Sequence, residues 1–519
     1  MKAHLMYRDR DFDLQAKLPA NEETLTQDLE LNTLFSAMAC GDEFLFQVAK
    51  QAVLSALQND LETIHYRQAV LQDCLRNYPA IKNLYDIAVE AIENKRRNLW
   101  SIFSRYPAGI LYGAVELLQM FMGMLGKLKL AANEHAHEFQ SEAFATFFAM
   151  LKAELTDEYF ARIKVHLEEL KFRHGVLISA GLGKGNQGAN YVLRKSLAEK
   201  QGWIQRIFAS KLPGYTFRIS NRDEAGARAL SELQDRGFNL VANALAQSVD
   251  HILSFFAMLQ TELAFYIGCV NLHRQIQQKG ASVCFPAPVP ADARRHSAVG
   301  LRDLSLVLSL DQMVVGNDLD AEEKNLVIIT GANKGGKSTF LRGIGLAQLM
   351  MQAGMFVAAE SFSADIRRGL FTHYKREEDA TMESGKFDEE LSRMSDIIDT
   401  LTPDSLLLFN ESFAATNERE GSEIAWQLIH ALLPTRVKIF FVTHLYEFGY
   451  RLWEEKMNSV LFLRAQREAD GRRTFKLLPG EPLQTSFGVD LYEEIFASRS
   501  AAPNNRHELA AQELSDASA

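Results

Sequence analysis

The 519-residue sequence predicts two fold classes in one chain. A mostly helical region carries a small β-containing insertion, and an α/β domain with a largely parallel sheet follows it. Three observations predict this. Before residue 300, long stretches repeat apolar residues at three- and four-residue spacing with few breakers. A basic, glycine-rich patch interrupts them. After the breaker-rich PAPVPADARR (286–295), strand-like runs such as NLVIITG and KIFFVTH alternate with helical ones.

Composition narrows the class. Apolar content of 47% and charged content of 24% are those of an ordinary globular protein, long enough for two or three domains. No apolar run of about 18 residues is free of charge, which argues against a spanning helix. The most apolar stretch, residues 110–130, carries Glu116 and Lys127. The opening MKAHLMYRDRDFD lacks the apolar core of a secretion signal. Cys40, Cys74, Cys269 and Cys284 lie far apart in no metal-ligand spacing and read as reduced thiols. The expectation is a cytoplasmic protein with no membrane partner. The net charge of −10 hides an asymmetry: residues 171–222 hold ten Lys or Arg and one acid, a window of +9, which leaves −19 for the rest.

Along the helical region, residues 54–77 read as one amphipathic helix and about 140–173 as another. GVLISAGLGKGNQGANYVLRK (175–195) has β-rich flanks around a Gly/Asn-rich centre and predicts a hairpin, with YTFRIS (215–220) as a further strand. Residues 223–279 contain no proline and predict a helix of roughly 85 Å, with Gly237 and Gly268 as its bending points. The Met-rich MFMGML (120–125) reads as core. The expected divisions are an N-terminal extension (1–27), the helical region (28–300) with its basic insertion at about 171–222, the α/β domain (301–498) and a polar, disordered tail (499–519).

The α/β domain carries the chemistry. GANKGGKS (331–338) fits G-x-x-x-x-G-K-[ST], preceded by an apolar strand and followed by a helix. In such a loop the glycines let backbone N–H groups turn inward around phosphates, at the positive end of the next helix. Gly331, Ala332, Asn333, Lys334, Gly335, Gly336, Lys337, Ser338 and Thr339 are the expected ATP contacts, with Lys337 on the β/γ-phosphates and Ser338 on Mg²⁺. The strand SLLLF then ends in Asn410 and Glu411. Glu411 is the candidate base or water-orienting group. Asn410 stands where a metal-supporting Asp is usual, so magnesium affinity is expected to be weakened. KIFFVTH ends at His444, placed to sense the γ-phosphate.

These residues resemble a known family. TGANKGGKSTFLR, LLLFNESFAATNEREGSEIAW, FFVTHLYEF, VVGNDLD and QTSFGVDLYEEIF are similar to the ATPase domain of MutS-type mismatch-repair proteins over residues 300–497. Over 28–300 the resemblance rests on DLELNTLFSAM and on layout: lever helices out, a small β clamp, a lever helix back. It implies an ABC-type phosphate-loop ATPase fold, a homodimer, DNA as partner, and a serine of the second copy reaching the nucleotide. In MESGKFDEEL that serine aligns with Gly385, beside Ser384. The family's adenine-stacking aromatic falls on Val314, which implies a loose base preference. Only about 27 residues precede the core, so the resemblance implies no mismatch-reading domain.

The resulting expectation is an ATP-hydrolysing, DNA-binding clamp that does not read mismatches directly. Lys184, Arg194 and Lys195 on the hairpin are its expected phosphate-backbone contacts. The alternatives are an ATP-dependent protein-interaction switch and a nucleotide-binding pseudo-ATPase, neither with a DNA partner.

Overall fold

The structure is a computed structural model that describes residues 1–97, 106–173, 175–195, 215–216, 218–220, 222–376, 385–468 and 472–483. The chain forms two compact units, one of residues 1–16, 38–52 and 65–271, the other of residues 17–37, 53–64 and 272–519. In chain order the first elements are α1 (Glu22–Asp28), α2 (Leu31–Ala39), α3 (Glu43–Leu54), α4 (Leu61–Arg76), α5 (Tyr78–Arg97), α6 (Pro107–His135), α7 (Glu142–Glu154), α8 (Asp157–Glu169), β1 (Leu177–Leu182), β2 (Gly188–Arg194) and α9 (Glu224–Gln278).

Local chemistry sets the boundaries of these helices, and several differ from expectation. The helix expected from residue 54 begins only at Leu61, because Asp60 caps it by accepting from Thr63 N–H at 2.8 Å. The helix expected over 140–173 is two, since Thr156 ends α7 and caps α8 by accepting from Tyr159 N–H at 3.1 Å. Pro107 and Pro79 open helices rather than interrupt them, at positions whose N–H needs no partner. The described residues of YTFRIS form no strand, and among the described residues the hairpin is a two-stranded sheet paired only with itself.

Within the first unit, the hairpin packs on α9. Leu193 joins the cluster of Leu111, Phe238 and Ala242. A Cβ at Gly237 would lie 2.7 Å from Ile178 Cδ1, and one at Gly268 would lie 3.3 Å from Met38 Cβ. Both glycines therefore serve close packing, and α9 runs unbroken for 55 residues, roughly 80 Å. Phe121 of α6 stacks on Phe256 of α9 at 5.8 Å. Buried Glu262 of α9 anchors the N-terminal segment, accepting from Leu5 N–H at 2.6 Å and Phe12 N–H at 3.1 Å. Two helical segments, Pro107–Glu138 and Glu224–Gln278, are long and apolar enough to cross a membrane, yet 50% and 67% of their most apolar windows are buried in the protein. The core-facing stripe accounts for that apolarity.

The second unit continues with β3 (Ala287–Val289), β4 (His296–Leu301), α10 (Leu304–Ser309), β5 (Asn317–Asp320), β6 (Leu326–Thr330), α11 (Lys337–Gln352), β7 (Ser361–Asp365), β8 (Leu370–Tyr374), α12 (Lys386–Thr400), β9 (Leu406–Asn410), α13 (Glu418–Leu432), β10 (Lys438–Val442), α14 (Tyr446–Glu454), β11 (Val460–Arg467) and β12 (Arg473–Pro479). Its main sheet has the order β12-β11-β6-β10-β9-β8, parallel except for β12. A smaller sheet has the order β3-β7-β4-β5. One face of the main sheet packs Ile328, Phe409 and Phe441 against Ala425, Ile429, Phe448 and Leu452 of α13 and α14. Buried α11 lies against β9 and β10. Burial on both faces explains why β6, β9 and β10 read as continuous apolar runs rather than alternating ones.

Candidate active site

Strand order brings the expected residues together. β6, β10 and β9 are adjacent and parallel, with Val442 paired to both Ile329 and Asn410. Their C-terminal ends thus deliver three segments to one edge of the sheet: the loop 331–338, His444 two residues past Val442, and Glu411 just past Asn410. This is where ligands of open α/β sheets bind.

The loop needs its glycines. Gly331 and Gly336 have φ of 117° and 87°. A Cβ at Gly331 would stand 2.9 Å from Ala465 N, and one at Gly335 would stand 2.8 Å from Ala465 Cβ. Lys337 is buried and folds back over its own loop, donating to the carbonyls of Gly331 and Ala332, each at 2.9 Å. Burial lowers its pKa to about 8, opposed by the charge of Glu411. Asn333, Lys334 and Ser338 are exposed, Thr339 is half-buried, and Ala332 is buried.

Ser338 Oγ donates to Asn410 Oδ1 at 2.8 Å. Hydroxyl and amide oxygens side by side suit a hard cation, but both are neutral. A magnesium ion there would depend on nucleotide phosphates for negative charge. Among the described residues no cluster of three His, Cys, Asp or Glu could hold a metal by itself.

Glu411 has φ of 55°, an uncommon conformation for a non-glycine residue, and Phe413 two residues on has φ of 62°. Neighbours hold this turn in place. Glu411 N–H donates to Val442 O at 2.9 Å. Phe413 N–H donates to Glu390 Oε1 at 2.5 Å, and Ser412 Oγ donates to His373 O at 2.6 Å. His444 Nε2–H donates to Glu411 Oε1 at 2.9 Å. That bond holds the Glu411 carboxyl below its usual range, against the effect of burial, with the charge of Lys337 helping. Glu411 is therefore ionised at neutral pH, half-buried, with its second oxygen available. Sequence reasoning assigned no role to His373 or to Glu390, although Glu390 lies in the family-like MESGKFDEEL, because their contribution is a tertiary contact to the 411–413 backbone.

Other expected residues fall differently. Ser384 lies outside the described residues, as do residues 484–496 of the family-like closing segment and the tail from 499. Half-buried Val314 accepts from Arg302 Nε at 3.2 Å through its carbonyl. On the hairpin, Lys184 sits exposed in the turn, Arg194 Nε donates to Ser179 Oγ at 2.9 Å, and Lys195 pairs with Glu169 at 2.5 Å. Two of the three expected DNA contacts are thus already engaged by neighbours.

The mostly parallel sheet carries the glycine loop on its β6–α11 turn and a carboxylate and an imidazole just past the next two strands, an α/β arrangement of the kind expected for the phosphate-loop class. Comparison with known families narrows this. Residues 59–279 match the model of the MutS2 N-terminal domain, and residues 327–512 match that of MutS domain V. DNA mismatch repair protein MutS of Leptospira interrogans serogroup Icterohaemorrhagiae serovar copenhageni is 34% identical over 328 residues, covering 60% of this chain and 37% of the relative. That of Parabacteroides distasonis is 28% identical over 320 residues, covering 58% and 34%. Human MutS protein homolog 4 is 34% identical over 140 residues, covering 27% and 15%. This chain is a MutS-related protein, and it spans about a third of the length of the first two of these relatives.

Proposed function

We propose that the protein is a magnesium-dependent ATP hydrolase that works on DNA as a homodimer. The observation that carries this reading is the meeting of Lys337, the Ser338–Asn410 pair and the Glu411–His444 pair at the ends of β6, β9 and β10. Loop N–H groups and Lys337 bind the phosphates. Ser338 and Asn410 would hold the metal, which would neutralise charge on phosphate oxygens. Glu411, oriented by His444, accepts a proton from the attacking water or aligns it. His444 thereby acts through Glu411 as well as toward the γ-phosphate. The names of the relatives and the hairpin charge of Lys184, Arg194 and Lys195 support DNA as the partner, contacted through its backbone. Ser384 of a second copy is the candidate to complete each site. The uncharged Asn410 is the observation that favours the second reading, a nucleotide-binding pseudo-ATPase. One experiment separates the two: ATP turnover of the purified protein across magnesium concentrations, with linear, branched and no DNA. Turnover that rises with magnesium supports the proposal, and none at any magnesium concentration favours the pseudo-ATPase.

A further inference from the structure

A second polar cavity lies at the opposite, N-terminal edge of the same sheet. It has a volume of about 250 Å³, room for several waters or one small hydrated anion, and is lined by five basic residues and three carboxylates. The basic residues are Arg294, Lys324, Arg367, Arg436 and Lys438; burial pushes the Lys438 amine down to about 7, so a bound anion would favour its ammonium form. Two of them are among the most deeply buried charged side chains in this unit, Arg367 at 4% exposure and Lys438 at 3%. Lys438 opens β10, an otherwise apolar strand of KIFFV, so the position breaks the pattern that its neighbours obey.

Internal partners account for only part of this charge. Arg367 pairs with Asp365, and Arg436 Nη2 donates to Asp404 Oδ1 at 2.6 Å. The Lys438 ammonium donates to Ala321 O at 2.9 Å, and Lys324 donates to Asn458 O at 2.6 Å, both carbonyls rather than carboxylates. Arg367 Nε is buried without a hydrogen-bond partner, and so is Asp365 Oδ2. Buried ionic groups left in this state are costly, which marks this lining as underpaired.

The geometry points to a binding site for inorganic phosphate in this cavity, with Lys438, Arg367 and Arg294 as donors to its oxygens and Asp365 as acceptor of its remaining proton. The surplus of cations selects an anion. Asp365 in the lining favours one that carries a hydroxyl, which hydrogen phosphate has and sulfate at neutral pH lacks. The site is separate from the phosphate loop: Lys438 and Asp404 precede or open the strands β10 and β9, whose far ends carry His444 and Glu411.

The test is calorimetric titration of the full chain with sodium phosphate at pH 7.5 and constant ionic strength, with sulfate and chloride as comparison anions. The background is Lys337→Ala, so that the nucleotide loop does not contribute. Expected are saturable phosphate binding that persists in that background, sulfate at least tenfold weaker, and a further tenfold loss in Arg294→Glu, whose exposed side chain leaves folding intact. Lys438→Met is the buried companion variant, used only if its circular dichroism matches the parent. Three results would each overturn the assignment: no saturable binding beyond chloride, binding abolished by Lys337→Ala, or binding indifferent to Arg294→Glu. Equal affinity for sulfate would overturn the role of Asp365 and with it the choice of phosphate.

Discussion

In the proposed site, the neutral amide of Asn410 where a carboxylate is usual would set the magnesium requirement. With only neutral oxygens from Ser338 and Asn410, a magnesium ion there would be held chiefly by the nucleotide. Asn410→Asp adds a charge beside the Ser338 hydroxyl and is expected to lower the magnesium concentration for half-maximal turnover by about tenfold, roughly 1.4 kcal/mol. Titration of turnover against magnesium checks this, and an unchanged midpoint would place the ion elsewhere. Lys337 makes a proton-linked prediction. Its pKa of about 8 in the nucleotide-free protein is lowered by burial, so at pH 8.5 the free protein holds this amine mostly neutral. Bound phosphates favour the ammonium form, so ATP binding takes up close to one proton at pH 8.5 and little at pH 6.5. Calorimetry in buffers of different ionisation enthalpy measures that uptake directly, and equal uptake at both pH values would contradict it.

The hairpin β1–β2 and the helix α9 give the next predictions. If the hairpin carries the DNA contacts, Lys184→Glu, Arg194→Glu and Lys195→Glu together abolish retention on duplex DNA and flatten its salt dependence. Unchanged affinity at low salt would remove DNA binding from this element. The Glu262 anchor on α9 makes a pH prediction. Burial pushes its carboxyl up to about 7, above its unfolded value, so the folded form holds the proton more tightly. Its contribution to stability is full below about pH 4.5 and declines as pH rises to about 7. Urea midpoints measured from pH 5 to 8 are expected to fall less steeply in Glu262→Gln than in the parent. Equal slopes would mean that Glu262 does not titrate in this range. Elements such as these also show what was legible in the sequence. The glycine loop, the three apolar strands and the hairpin announce themselves by local pattern, because glycine spacing and β-rich flanks act within a few residues. The break at Asp60, the split at Thr156 and the packing role of Gly237 and Gly268 were not legible, since caps compete with periodicity and close approach is a tertiary fact. The same holds in the site: Lys337 and Glu411 stand in motifs, whereas Glu390 and His373 reach the 411–413 turn from elsewhere in the chain.

Across the whole molecule, the proposal couples two ligands on one chain. Linkage requires that duplex DNA change ATP affinity by the same factor as ATP changes DNA affinity. Matched titrations that disagree would exclude binding-level coupling in one equilibrium. In the proposed mechanism Glu411 acts on water at the terminal phosphate. The most direct measurement is single-turnover hydrolysis of ATP by the purified protein and by Glu411→Gln, at saturating magnesium, with nucleotide binding followed in parallel. The account predicts that the variant binds ATP within about threefold of the parent and hydrolyses it about 10²–10³-fold more slowly, leaving ATP trapped. Equal hydrolysis rates in the two proteins, or no hydrolysis by the parent, would contradict it.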